Sequence, residues 1–160
     1  MDKCDYYKYR EYHWSYFSMH GDQRLKTFNF YLIASAIFIG GFVNMIKDGD
    51  EVLLGFILPY ILSFISFIFW KLDVRTKRMI KISENAIKKI DDLLIDSVDD
   101  SIRNELNIFR HDDFLVEKLK SSKSVLVNHM SYSKCFNAIF LMMGLLGFVI
   151  GTIFLINCIC

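Results

Sequence analysis

Apolar positions collect in three blocks that hold no charged residue, 28–46, 52–70 and 136–160. Each is near the roughly 20 residues that an α-helix needs to cross about 30 Å of hydrocarbon. The first two blocks are separated only by KDGDE at 47–51, whose glycine and acidic residues suit a tight reversal, so the pattern predicts an antiparallel transmembrane hairpin. Pro59 lies inside the second block, where it removes one backbone hydrogen bond and is expected to kink the helix.

Outside the blocks the pattern stays helical. Tyr6, Tyr9, His13, Phe17, His20 and Arg24 follow one another at spacings of three or four, which predicts an amphipathic helix over 6–27 running on into the first span. Beyond Trp70 the apolar stripe narrows without stopping. Ile80, Ile87 and Leu94 recur every seven residues with Ser83 and Ile90 between them, the seam expected of a helix that continues against a partner. DSVDDS at 96–101 ends that period, and Asp100 or Ser101 can cap a short helix through about Phe109. RHDD makes a second break, after which Asp112 or Asp113 can cap a helix from Phe114 with Leu115, Leu119, Leu126 and Met130 on one face. The expected fold class is an all-α integral membrane protein, with three transmembrane helices and a small helical cytoplasmic domain. Its parts are an N-terminal helix over 1–27, the hairpin over 28–70, a cytoplasmic region over 71–135 and a third transmembrane helix over 136–160.

Composition agrees with this picture and charge orients it. The 160 residues are 53% hydrophobic and 16% aromatic with one proline and a positive mean hydropathy, outside the ordinary soluble range. A signal peptide would place its apolar core nearer the N-terminus, so the first block reads as a permanent span. Lys and Arg number five before residue 28, one in 47–51, thirteen in 71–135 and none afterwards. By the positive-inside rule the N-terminus and 71–135 are expected to face the cytoplasm, and the C-terminus to lie outside. Cys4 and Cys135 then sit beside a reducing compartment. Cys158 and Cys160 are too close in sequence to favour a bridge and read as apolar residues.

Candidate chemistry is sparse. No Asp, Glu, Lys, Arg or His stands in mid-span, which argues against a proton relay or an ion-coupled transporter. The polar span residues Asn29, Ser35, Asn44, Ser63, Ser66, Asn137, Thr152 and Asn157 suit either interhelical hydrogen bonds or the wall of a pore. HDD at 111–113 lacks a companion cluster at metal-site spacing, and phosphate loop, nucleophile elbow and CxxC motifs are absent. The expectation is therefore a protein that is not an enzyme, with no catalytic residue, cofactor or metal. The thirteen basic and eleven acidic residues of 71–135 leave no footprint for sequence-specific nucleic-acid binding. The cluster Arg75, Lys77, Arg78 and Lys81 suits anionic lipid headgroups.

Three constellations carry structural weight. His13, Phe17, His20, Gln23 and Arg24 form a stripe that reads either as a membrane-interface anchor or as an anion site. In an antiparallel hairpin Arg24 and Asp73 lie at similar depth, so an Arg–carboxylate pair is expected to lock the first two helices. Gly144, Gly147 and Gly151 share one face of the third span, with Ala36 and Gly40 as a weaker version in the first. These are the proposed association positions, within one chain or between copies in a homo-oligomer.

HWSYFSMHGDQRLKTFNFY and FIFWKLDVRTKRMIKISENAI together resemble small bacterial membrane proteins of antiphage defence modules, including membrane effectors encoded with retron reverse transcriptases. The likeness rests on Trp14, Tyr16, Phe17, His20, Gln23, Arg24, Phe28 and Asn29, then on Phe69, Trp70, Lys71, Leu72, Asp73, Arg75 and Glu84. It covers about the first 90 residues. The third span departs from the two-span layout common among such effectors. What the resemblance implies is an abortive-infection toxin, held silent by a cytoplasmic protein or ribonucleoprotein sensor and then perturbing the bilayer. His20, Gln23, Arg24, Trp70, Asp73, Arg75 and Glu84 would form its juxtamembrane coupling site. A constitutive anchoring subunit and a ligand-gated membrane sensor share the same topology.

Overall fold

A computed structural model describes residues 3–48, 52–95, 109 and 132–159. Three long helices carry almost all of them: α1 (Lys3–Asp48), α2 (Val52–Ile95) and α3 (Tyr132–Ile159). All three are long and apolar enough to cross a membrane. The capping aspartates at 100 and 112–113, the helix from Phe114 and Cys160 lie outside the described residues.

α1 joins the amphipathic N-terminal segment and the first charge-free block without a break, because the sequence over 3–48 holds no proline. α2 likewise continues through Pro59 to Ile95. Pro59 withdraws the hydrogen bond that would reach the carbonyl of Gly55, and its ring crowds that same carbonyl. Glycine at 55 leaves this turn without a side chain of its own.

The chain divides into two compact units, Met1–Asp22 with Thr76–Met130, and Gln23–Arg75 with Ser131–Cys160. In the first, the buried residues include His20, Ser83, Ile87 and Asp91. Arg10 Nε donates to Asp91 Oδ1 at 2.5 Å, and Glu84 accepts from Lys81 at 2.7 Å and Lys88 at 2.6 Å along α2. Phe109 packs on Trp14 and Phe17, with ring centroids 6.3 and 5.4 Å away. The heptad seam is uneven: Ile87 is buried, whereas Ile80, Ile90 and Leu94 are half-buried. Asp91, carrying its ion pair with Arg10, takes the seam position beside Ile90.

The second unit is a three-helix bundle. Arg24 meets Asp73 and Tyr31 meets Ser66, so advancing along α1 retreats along α2 and the two helices are antiparallel. Phe28 stacks on Phe136 and Phe42 meets Phe154, so α1 and α3 run parallel. Tyr31, Phe136 and Phe140 form the buried core, with Phe28, Phe69 and Trp70 packed around it. Outside that core the helices present apolar side chains outward, among them Phe30, Ile37, Phe64, Leu141 and Phe148. An apolar exterior of this extent is what a lipid solvent favours and water does not.

Glycine packing brings α2 and α3 together. A Cβ at Gly147 would lie 2.6 Å from the Pro59 carbonyl oxygen and 3.1 Å from Ser63 N, so the two backbones approach closer than any side chain allows. At Gly144 and Gly151 the neighbours are Ser66 and the Tyr60 ring. All three glycines of the α3 face are thus occupied by α2 of the same chain. Ala36 is exposed, and Gly40 has nothing within 4 Å of the Cβ position.

Candidate functional site

Arg24 stands four residues before the first charge-free block and Asp73 three after the second. Helix pairing brings them together at the same level. Arg24 Nε donates to Asp73 Oδ1 at 2.7 Å and Nη2 donates to Oδ2 at 2.9 Å, a fork-on-fork pair. The side chains are 13% and 5% exposed, so the charges are largely withdrawn from solvent.

The third helix completes the arrangement. The Arg24 guanidinium carbon lies 5.1 Å from the centroid of Phe136 on α3, a cation–π contact worth about 0.5–2 kcal/mol. Phe136 in turn stacks on Phe28 at 3.8 Å and 8°. One guanidinium thereby touches all three helices. Both Asp73 oxygens accept from it, which satisfies the carboxylate that burial would otherwise penalise.

One to two helical turns deeper, Tyr31 OH lies 2.8 Å from Ser66 Oγ. Ser66 Oγ donates to the Leu62 carbonyl at 2.8 Å, so its own hydrogen is committed and Tyr31 is the donor. Tyr60 and Thr152 repeat the device between α2 and α3: Thr152 Oγ1 donates to the Phe148 carbonyl at 2.7 Å, and Tyr60 OH reaches Thr152 at 3.2 Å. The span hydroxyls Ser66 and Thr152 therefore serve helix contacts.

The seven positions expected to form the coupling site fall in both compact units. Arg24, Asp73 and Trp70 share the bundle, Trp70 as part of the core's margin. Gln23 and Arg75 are exposed in the same unit. His20 and Glu84 belong to the other unit, where His20 is buried with the Tyr16 ring 4.2 Å from its own, and Glu84 binds Lys81 and Lys88. Within the His13–Arg24 stripe, Arg24 is held by Asp73 and His20 is buried.

Sequence reasoning missed Phe136 and the Arg10–Asp91 pair. The second had a signal. Arg10 and Arg24 are 14 residues apart and Asp73 and Asp91 are 18 apart, four and five turns at about 3.6 residues each, so each like pair shares a helix face.

Over 145 residues the chain is 30% identical to CD-NTase-associated protein 19 of Escherichia coli, a match spanning 88% of the chain and 87% of that relative. The chain belongs to that protein's family. No family model matches the sequence, and no solved structure matches it. A match of 145 residues cannot be confined to the charge-free blocks, so membership in the CD-NTase-associated protein 19 family extends to polar segments that lipid-facing composition alone would not make alike.

Proposed function

We propose that this chain is the membrane effector of a bacterial antiphage module organised around a CD-NTase, lodged in the inner membrane and perturbing it when a partner or its signal releases it. The observation that carries the reading is the family relationship across 88% of the chain to a protein named for association with a CD-NTase. That name supports a CD-NTase module and gives nothing for a retron. Three helices of spanning length and an apolar exterior supply the means of acting on a bilayer.

The chain is assigned no catalysis of its own. Its orientation is taken from the distribution of Lys and Arg, with the N-terminus inside and the C-terminus outside. The Arg24–Asp73–Phe136 clasp is the proposed coupling point: α1 and α2 continue past it toward the cytoplasmic side, so a force on either helix is borne by a buried ion pair that ties down α3. Two arrangements of such a clasp, closed and parted, would give a switch between silent and perturbing states.

The test is phage challenge of cells carrying the complete module or the module lacking this chain. With the chain present, infected cells should stop growing before phage is released and phage yield should fall. Equal yield and equal survival in the two strains contradict the proposal.

A further inference from the structure

A groove of about 490 Å³ opens between α2 and α3, lined on α2 by Ser63, Phe67 and Trp70 and on α3 by Asn137, Ala138 and Leu141, among others. Its lining is mostly apolar, and its volume falls within the roughly 300–1,000 Å³ of sites that hold small molecules. The charges at its end give it a direction.

On α2, Ser63, Phe67, Lys71 and Arg75 form one row at four-residue spacing, so the groove wall runs into two cations. Lys71 Nζ already leans over that wall, 4.9 Å from the Trp70 centroid and 5.5 Å from that of Phe67. On α3, Lys134 stands one turn before Asn137 and Ala138 in their stripe. Gly144 lies opposite Ser66 and Gly147 opposite Ser63. That antiparallel register brings the Lys134 end of α3 level with the Lys71–Arg75 end of α2.

Lys71, Arg75 and Lys134 are exposed and carry no ion pair among the described residues. The acids described in this unit are Asp48, near the opposite end of the bundle, and Asp73, which Arg24 holds. An apolar slot flanked at one end by three cations, with no competing carboxylate among the described residues of this unit, matches an amphiphile with one negative head. We propose that the groove binds one acyl chain of an anionic phospholipid, its phosphate held by Lys71 and Lys134 with Arg75 beside them and its ester region within reach of the exposed Asn137 amide. A neutral helix from a second copy would leave the three cations unanswered. The site rests on the reading of the three helices as spans, and it is independent of whether the protein permeabilises the membrane.

The experiment uses the full chain purified in detergent, titrated with phosphatidylglycerol or phosphatidylcholine and observed by native mass spectrometry. The wild type should hold one phosphatidylglycerol at least tenfold more tightly than phosphatidylcholine, and millimolar glycerol 3-phosphate should not displace it. Lys71→Gln with Lys134→Gln should erase the preference, and Ala138→Trp, which fills the groove at an exposed position, should abolish retention of either lipid. Equal affinity for the two lipids overturns the proposal. So does retention in Ala138→Trp, which would mean headgroup attraction without the groove, or a lipid-free dimer at the same concentrations. Alkaline extraction of membranes separates this from the span reading: release of the wild type into the supernatant contradicts the spans, whereas retention with failed lipid selectivity contradicts the groove alone.

Discussion

Arg24 and Asp73, 49 residues apart in sequence, face each other through two hydrogen bonds of 2.7 and 2.9 Å while the ring of Phe136 lies beneath the guanidinium. Both side chains are largely withdrawn from solvent, so their effects on stability are coupled. Removing one partner of a buried pair leaves the other uncompensated, at a cost of about 3–5 kcal/mol, whereas replacing both by apolar residues of similar volume is often neutral. Asp73→Leu and Arg24→Met should each lower thermal stability in detergent sharply, and the double variant should recover most of the loss. Additive losses would show that the residues act separately.

The Arg10–Asp91 pair gives the contrast. Arg10 keeps 43% of its side chain exposed, whereas Asp91 keeps 8%, so the two partners should respond unequally to loss of the other. Asp91→Leu leaves a cation that water can solvate and should lower the unfolding temperature in detergent less than Arg10→Ala, which leaves a buried carboxylate unpaired; equal losses would contradict the unequal burial.

Glycines 147 and 40 should respond oppositely to alanine. At 147 the new methyl group would lie 2.6 Å from the Pro59 carbonyl oxygen, a backbone atom that cannot swing aside, whereas at 40 it would meet nothing within 4 Å. Overpacking of this kind costs about 1–3 kcal/mol. Gly40→Ala should be neutral or slightly stabilising, because alanine is the better helix former. Unfolding in detergent checks both, and a Gly147→Ala protein as stable as wild type would contradict the close α2–α3 approach.

For Tyr31 and Ser66 the order of effects is informative. Tyr31→Phe removes the donor while Ser66 keeps its bond to the Leu62 carbonyl, so the loss should be close to the average of about 0.6 kcal/mol for interhelical bonds in membranes. Ser66→Ala leaves the buried Tyr31 hydroxyl without that acceptor, and an unsatisfied buried group costs about 1–3 kcal/mol. Unfolding measurements should rank Ser66→Ala below Tyr31→Phe in stability.

Much of this arrangement was legible in the sequence for a physical reason. A charge-free block of helical length can be read without knowing its neighbours, and the short 47–51 segment forces the first two helices to lie side by side. Arg24 and Asp73 then fall at matching depth by counting alone. Phe136 could not be placed that way. Its register against Phe28 depends on 96–131, a connection whose length does not fix a geometry. The glycines of α3 announced a close approach, but their partner was decided by the Pro59 carbonyl and Ser63, which no periodicity singles out. Arg10 and Asp91 were readable from their spacing to Arg24 and Asp73, but they stand within charge-rich segments that mask the pattern.

Membrane potential, followed with a voltage-sensitive dye, tests the proposed activity most directly. The dye is read in cells that express the chain without its partners and in cells carrying the whole module during phage infection. Depolarisation that begins before phage release, and that is lost when the chain is deleted from the module, is the predicted result. Normal potential and growth under both free expression and phage challenge would contradict the effector assignment and leave an anchoring subunit in its place.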